Sequence, residues 1–174
     1  MGVIRNSILP LFAKFPPLTT RMTLQLAFLI KALSGMKVEE YMSTRADKYT
    51  DRSTISPLFT VLPSYFGPWL SGFIEAEGSF ATRSGVIGFS FSISQLHDYY
   101  LMQAILQYFG QSHLTVKKGI NPLYFIEIAN LKGVTTVIRN LVDNPLQGYK
   151  YYQLAMVLKE SKALSHLRSK FLNS

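Results

Sequence analysis

The sequence predicts an α+β fold running from Pro68 onward as helix, two strands, helix, two strands, helix, helix. Three observations carry that expectation. An apolar, small-residue stretch, Leu70-Ser71-Gly72-Phe73-Ile74-Glu75-Ala76-Glu77-Gly78, ends on a carboxylate and a glycine. Phe89, Phe91 and Ile93 then alternate with Ser90, Ser92 and Ser94, a period of two. Helical spacing returns after each strand pair, punctuated by Gly110 and by Asn144-Pro145.

In the first helix Gly72 and Ala76 lie four apart on one face, where small side chains let a second helix approach closely. Trp69, Leu70, Phe73 and Ile74 fill the core around that seam. Gly78 provides a flexible exit, so Glu77 points off the helix C-terminus. A carboxylate at that negative pole is disfavoured without a bound cation, which points to a metal.

The first strand spans Ser79 to Ser84, with a Ser84-Gly85 turn, and regular register puts Arg83 on the hydroxyl face of the next strand. A second pair runs from Leu114 to Lys117 and from Leu123 to Ile128, joined through Lys118-Gly119-Ile120-Asn121-Pro122. Leu114, Val116, Tyr124, Ile126 and Ile128 face the core; Thr115, Lys117, Phe125 and Glu127 face outward. The outward phenylalanine marks either an apolar contact with a ligand or a register error. Helices are expected over His97–Phe109, Leu131–Val142 and Lys150 to about His166. His97, His113 and His166 show no metal-ligand spacing and receive no role.

The motif at residues 70–78 resembles that of the LAGLIDADG homing endonucleases. The resemblance implies an αββαββα domain whose saddle-shaped antiparallel sheet lies along the DNA major groove, a groove that accepts a two-stranded ribbon. It implies that Glu77 binds the metal and is catalytic, with Mg2+ or another divalent cation as cofactor. Gln95, at the end of the second strand, corresponds to the family's water-orienting polar residue. Lys150, after Pro145-Leu146, corresponds to the basic residue opposing charge at the scissile phosphate. Glu75 is expected to support the helix end. Outward Arg83, Ser90, Ser92, Ser94, Thr115 and Lys117 are the candidate DNA-binding residues, and Gly72, Phe73 and Ala76 the candidate dimer interface.

Composition agrees with this reading. A chain of 174 residues, 48% hydrophobic, is long enough to bury a core, and 18 Lys+Arg against 10 Asp+Glu give a net charge of +8, suited to a polyanion. The absence of cysteine excludes disulfides, thiol chemistry and cysteine-ligated zinc. The longest apolar run, near Leu24 to Ile30, is bracketed by Arg21 and Lys31 and is too short to span a membrane, so no membrane partner is expected.

A partial repeat organises the N-terminal third. Pro17-Leu18, Gln25-Leu26-Ala27 and Lys31 reappear 128 residues later as Pro145-Leu146, Gln153-Leu154-Ala155 and Lys159, with Met22 in the place of Lys150. Residues 1–35 therefore read as a helical remnant of a first LAGLIDADG repeat, 36–66 as a linker and 67–174 as the endonuclease domain. The first 38 residues carry five basic residues and no acidic one, the composition of a transit segment, but a presequence has no reason to echo residues 145–159. A mitochondrial location follows from the resemblance alone, since such proteins are commonly encoded in organellar introns.

The leading functional expectation is a site-specific, metal-dependent DNA endonuclease making double-strand breaks at an intron-insertion site. The alternatives are an intron RNA maturase, with host intron RNA as partner, and a catalytically inert DNA-binding remnant. With one motif helix, the chain is expected to form a homodimer or to pair with another LAGLIDADG domain.

Overall fold

The computed structural model describes residues 2–50, 52, 61–83, 88–120 and 122–172, which fall into two compact units, Met1–Leu58 and Phe59–Ser174. The Ser84-Gly85 turn, Pro57 and Asn121 lie outside the described residues.

In the first unit a π-helical turn, Ile4–Ile8, leads into α1 (Leu9–Lys14), α2 (Thr20–Leu33), α3 (Val38–Thr44) and a 3-10 turn at Asp47–Tyr49. Thr19 caps α2 by accepting a hydrogen bond from the Met22 amide at 3.4 Å. Part of the expected linker is thus helical. Gln25 donates to the Tyr49 hydroxyl at 2.7 Å, and Phe28 meets Tyr41 with ring centroids 5.4 Å apart, so α3 and the following turn fold back on α2.

The second unit begins with α4 (Phe66–Glu77), then β1 (Gly78–Thr82), β2 (Phe89–Leu96), α5 (Tyr99–Tyr108), β3 (Lys117–Lys118), β4 (Leu123–Ile128), α6 (Leu131–Asp143), α7 (Tyr149–Glu160) and α8 (Ser165–Leu172). Its four strands form one antiparallel sheet in the order β1-β2-β4-β3, an αββαββα arrangement followed by an extra helix. Phe91 pairs with Phe80 and Ile128, and Ile93 with Ile126, so the centre of β2 meets buried apolar residues. Phe66, Leu70 and Ile74 of α4, Leu101 and Ile105 of α5, and Val134, Val137, Ile138 and Leu141 of α6 complete this core. Burial of that apolar surface is the main force holding the helices on the sheet.

β1 stops at Thr82, so Arg83 follows the strand instead of lying in it, and two later elements depart further from expectation. The strand expected over Leu114–Lys117 shrinks to Lys117–Lys118, because the chain is still turning after α5: the Leu114 amide donates to the Gln111 carbonyl, and Gln111 is locked in place by Asn130 at 2.8 Å. The last expected helix divides at Ser161, whose extended backbone turns α8 back so that Leu164, Leu167 and Phe171 are buried. Phe171 then stacks on Tyr151, centroids 5.0 Å apart.

Phe125 does face outward with Glu127. It pairs with Ser94 and Lys117, and the Lys117 ammonium lies 5.7 Å from its ring centroid, a cation–π contact that half-buries the ring without a register shift.

Candidate active site and nucleic-acid interface

The motif helix is fixed at its start by a polar cluster. Ser71 donates to the Asn144 carbonyl at 2.7 Å, Tyr108 donates to Asn140 Oδ1 at 2.7 Å, and Asn144 donates to Asn140. Burial, followed by the charge of Asp143, pushes the Tyr108 phenol above its ordinary pKa, so it stays a donor. A Cβ at Gly67 would lie 2.8 Å from that hydroxyl, which is why the helix can approach so closely.

At its other end α4 passes directly into β1. Gly78 has an ordinary extended backbone, so left-handed freedom is not what the glycine supplies. Its role is close approach: a Cβ there would sit 2.7 Å from the Ile74 carbonyl oxygen, a backbone atom that cannot yield. The helix therefore ends abruptly. Glu77 is left exposed in the last helical residue, with no hydrogen bond or ion pair among the described residues.

Glu75 turns the other way, toward α7. That helix has Gly148 as its N-cap and no side-chain cap of its own. Glu75 Oε1 instead accepts from the Lys150 amide at 3.0 Å, placing a carboxylate at the positive pole of α7. A Cβ on Gly148 would come within 2.5 Å of that same oxygen, so glycine makes room for the imported cap. The Lys150 side chain returns the contact by donating from Nζ to the Gly78 carbonyl. Glu75, Gly78 and Lys150 thus form one hydrogen-bonded junction beside Glu77. Sequence reasoning anticipated support from Glu75 but not the cap, whose one signal was glycine where a capping side chain normally stands.

Gln95 is half-buried on β2. It lies two residues beyond the Gly78–Ile93 pair, so β2 continues past the start of β1 alongside the end of α4, and Gln95 shares the strand parity of core-facing Phe91 and Ile93.

Around this junction the available donors are oxygens: the exposed Glu77 carboxylate and the Glu75 Oε2 atom, which is buried and has no hydrogen-bond partner. Such donors fit a hard cation such as Mg2+, which is commonly held by one or two carboxylates together with water and phosphate oxygens. Among the described residues no group of three or more His, Cys, Asp or Glu is placed to hold a metal by itself.

The outward sheet face is polar and interlinked. Ser79 pairs with Ser92, Ser92 with Glu127, Ser94 with Phe125, and Lys117 with Phe125, which brings three strands' worth of candidate readers onto one surface with β1 at its edge. Arg83 Nε donates to Ser90 Oγ at 3.0 Å, and its Nη2 pairs with Glu127. Ser90 is only 2% exposed, so it supports Arg83 and is not itself presented to solvent. Ser92 and Ser94 are half-exposed, and Lys117 is exposed. Thr115 stands apart: it precedes β3 and lines a pocket of about 400 Å³ with Tyr99, Gln103, Gln107 and Ser112, beside α5.

The seam on α4 is open. A Cβ on Gly72 would meet nothing within 4 Å, Ala76 is exposed, and half-buried Phe73 stacks on Trp69 with centroids 4.9 Å apart. Among the described residues no helix is long and apolar enough to cross a membrane.

Comparison with known proteins agrees with this architecture. The sequence model of the LAGLIDADG endonuclease family matches residues 70–160, from the start of the motif to the end of α7. The chain is 31% identical over 144 residues to a probable intron-encoded endonuclease aI3 of Dictyostelium citrinum, an alignment covering 82% of this chain and 58% of that protein. A protein of the same description from Debaryomyces hansenii is 30% identical over 188 residues, covering 88% of this chain and 27% of its own length. The chain thus spans little more than half of the first relative and about a quarter of the second. Among solved structures, the meganuclease I-SmaMI bound to uncleaveable DNA superposes with a TM-score of 0.63 at 21% identity, covering 98% of this chain and 69% of that one. I-SmaMI bound to an uncleaved DNA target in the presence of calcium ions gives a TM-score of 0.60 at 20% identity with the same coverage, a likeness of fold. With its motif helix, four-stranded sheet and following helices matched as one segment, the chain belongs to the LAGLIDADG endonuclease family.

Proposed function

We propose that the chain acts as a site-specific homing endonuclease that cuts both strands of an intron-insertion site by divalent-metal-dependent phosphodiester hydrolysis. The observation that carries the proposal is the junction at the end of α4, where an unpaired, exposed Glu77 stands beside Gly78 and Lys150. Glu77 would hold the cation, Mg2+ being the simplest choice. When bound, that cation supplies Lewis acidity and an activated water. Lys150 supplies an ammonium at the helix exit, suited to opposing the charge that develops on the phosphate. Gln95 offers an amide for orienting a water. Glu75 holds α7, and with it Lys150, against the motif helix.

The DNA duplex would lie on the outward sheet face, where Arg83, Ser92, Ser94 and Lys117 are gathered; I-SmaMI, of the same fold, has been solved bound to DNA. A second LAGLIDADG motif helix would pack on the open seam at Gly72, Phe73 and Ala76, from a second copy or from another domain. The proposed location is mitochondrial, the usual setting of intron-encoded members of this family.

Glu77→Gln tests the chemistry, because it preserves shape and removes the anionic ligand. Duplex cleavage in magnesium should vanish, and duplex binding in calcium should persist. Cleavage equal to the parent's would remove Glu77 from the site. Stimulation of host-intron splicing that survives the substitution, without cleavage, would favour a maturase; binding with neither activity would favour an inert remnant.

A further inference from the structure

Glu127 is the one acidic side chain in the described network of the outward sheet face, and both of its oxygens are engaged. Oε1 takes Arg83 Nη2, and Oε2 takes Lys117 Nζ at 3.2 Å. The two cations are 55% and 54% exposed, whereas Glu127 is 23% exposed. Exposed ion pairs of this kind add little to folding stability. Their consequence is geometric. Arg83 reaches from the end of β1 across β2, where Ser90 takes its Nε, to β4. Lys117 reaches to β4 from the opposite edge of the sheet, over the Phe125 ring. Two long side chains that would otherwise sweep through solvent are held on one carboxylate.

The way Arg83 is held leaves a defined remainder. Nε and one Nη2 hydrogen are used within the protein, and Nη1 has no partner among the described residues. The far edge of the guanidinium fork is therefore available, in the geometry that suits the O6 and N7 acceptors of guanine. A carboxylate between two cations also repels phosphate, which discourages both from drifting to the DNA backbone.

We propose that Glu127 is a positioning residue that sets sequence specificity, holding Arg83 and Lys117 so that they address base edges in the major groove; this rests on the duplex-binding reading above. Contacts to bases carry sequence information, whereas contacts to phosphate do not. Removing the carboxylate would turn a reading face into a simple cationic one.

The experiment uses the full chain in calcium with two probes, a randomised duplex library and one duplex of fixed, unrelated sequence. The parent should enrich library members carrying a guanine at a defined position. Glu127→Gln should bind the unrelated duplex on the order of tenfold more tightly, with a salt slope steeper by about 0.9 log unit for each new phosphate contact, and lose that enrichment. Ser90→Ala, which frees only the Arg83 Nε, should weaken enrichment at the guanine alone. Trp69 fluorescence, from the single tryptophan, reports that each variant is folded. Unchanged slope and enrichment in Glu127→Gln would overturn the proposal, as would an equal loss of affinity for every duplex, which marks a structural role. A parent that binds the fixed duplex but enriches nothing overturns this inference alone, whereas a parent that binds neither probe removes the duplex-binding reading as well.

Discussion

Helices α2 and α7 begin from the same short sequence and end up in different circumstances. Each follows a Pro-Leu pair whose leucine is buried, Leu18 before α2 and Leu146 before α7. Each is preceded by a helix ending a few residues earlier and followed by another short helix. In each, the amide of the equivalent residue, Met22 or Lys150, finds an acceptor. For Met22 it is the helix's own Thr19; for Lys150 it is Glu75, from the motif helix. One helix is capped from its own N-cap residue, and the other by a side chain of a distant helix. Burial diverges as well: Leu158 is fully buried, while Ile30 at the equivalent position is 48% exposed. α7 packs on β1 and α8, and α6 on β2 and α8, so in the second unit the sheet covers what the repeat pattern makes apolar. The difference teaches that the shared pattern specifies a helix and its entry, whereas depth of burial and the source of the cap come from what packs against it.

The largest expected effect sharpens that contrast directly. Leu158→Ala should destabilise the second unit by about 2–5 kcal/mol, and Ile30→Ala should cost well under about 1 kcal/mol, because only the first empties a packed site. Denaturant unfolding followed by Trp69 fluorescence checks the first, and hydrogen exchange in α2 the second. Equal costs would break the comparison.

Gly148→Ala comes next. Its Cβ would collide with Glu75 Oε1 and uncap α7, at a cost of about 1–3 kcal/mol for a buried donor left unpaired. Stability measured by the same fluorescence should fall, and exchange of the Lys150 amide should rise. Thr19→Ala, the matching change in the first unit, should cost about 1 kcal/mol and be felt only as faster exchange at the start of α2. The smallest effect is expected at Gly72→Leu, which meets open space. Fluorescence-detected stability should stay near the parent's while light scattering reports weaker pairing through the seam; a fall in stability with unchanged mass would show that the seam is already filled.

Much of this was legible in the sequence because the signals were local. The alternation of Phe89 to Ser94 fixed β2 and its two faces, and the run from Leu70 to Gly78 located the motif helix and the exposed Glu77. What local pattern does not contain is long-range exchange of partners. Nothing near Gly148 names Glu75, 73 residues away, as its cap, and nothing near Ser90 says that Arg83 will lie over it and bury it. The break at Ser161 was hidden because Lys159-Glu160-Ser161-Lys162 continues an ordinary solvated helix face; only the covering of Leu164, Leu167 and Phe171 reveals the turn. Thr115 was placed on a strand by parity, but the chain there is still rounding the corner held by Gln111.

In the proposed function, Lys150 on α7 supplies the ammonium that opposes charge at the scissile phosphate, and Met22, at the equivalent position of α2, carries none. Lys150→Met installs in the second copy the residue that stands in the first. Single-turnover cleavage of a target duplex in magnesium should slow by about 10²–10³-fold, the usual loss on removing one charge-stabilising donor, while binding in calcium stays near the parent's and stability falls only by about 0.5–1.5 kcal/mol, that of the lost hydrogen bond to the Gly78 carbonyl. Cleavage at the parent's rate by a folded, DNA-binding Lys150→Met protein would contradict the account.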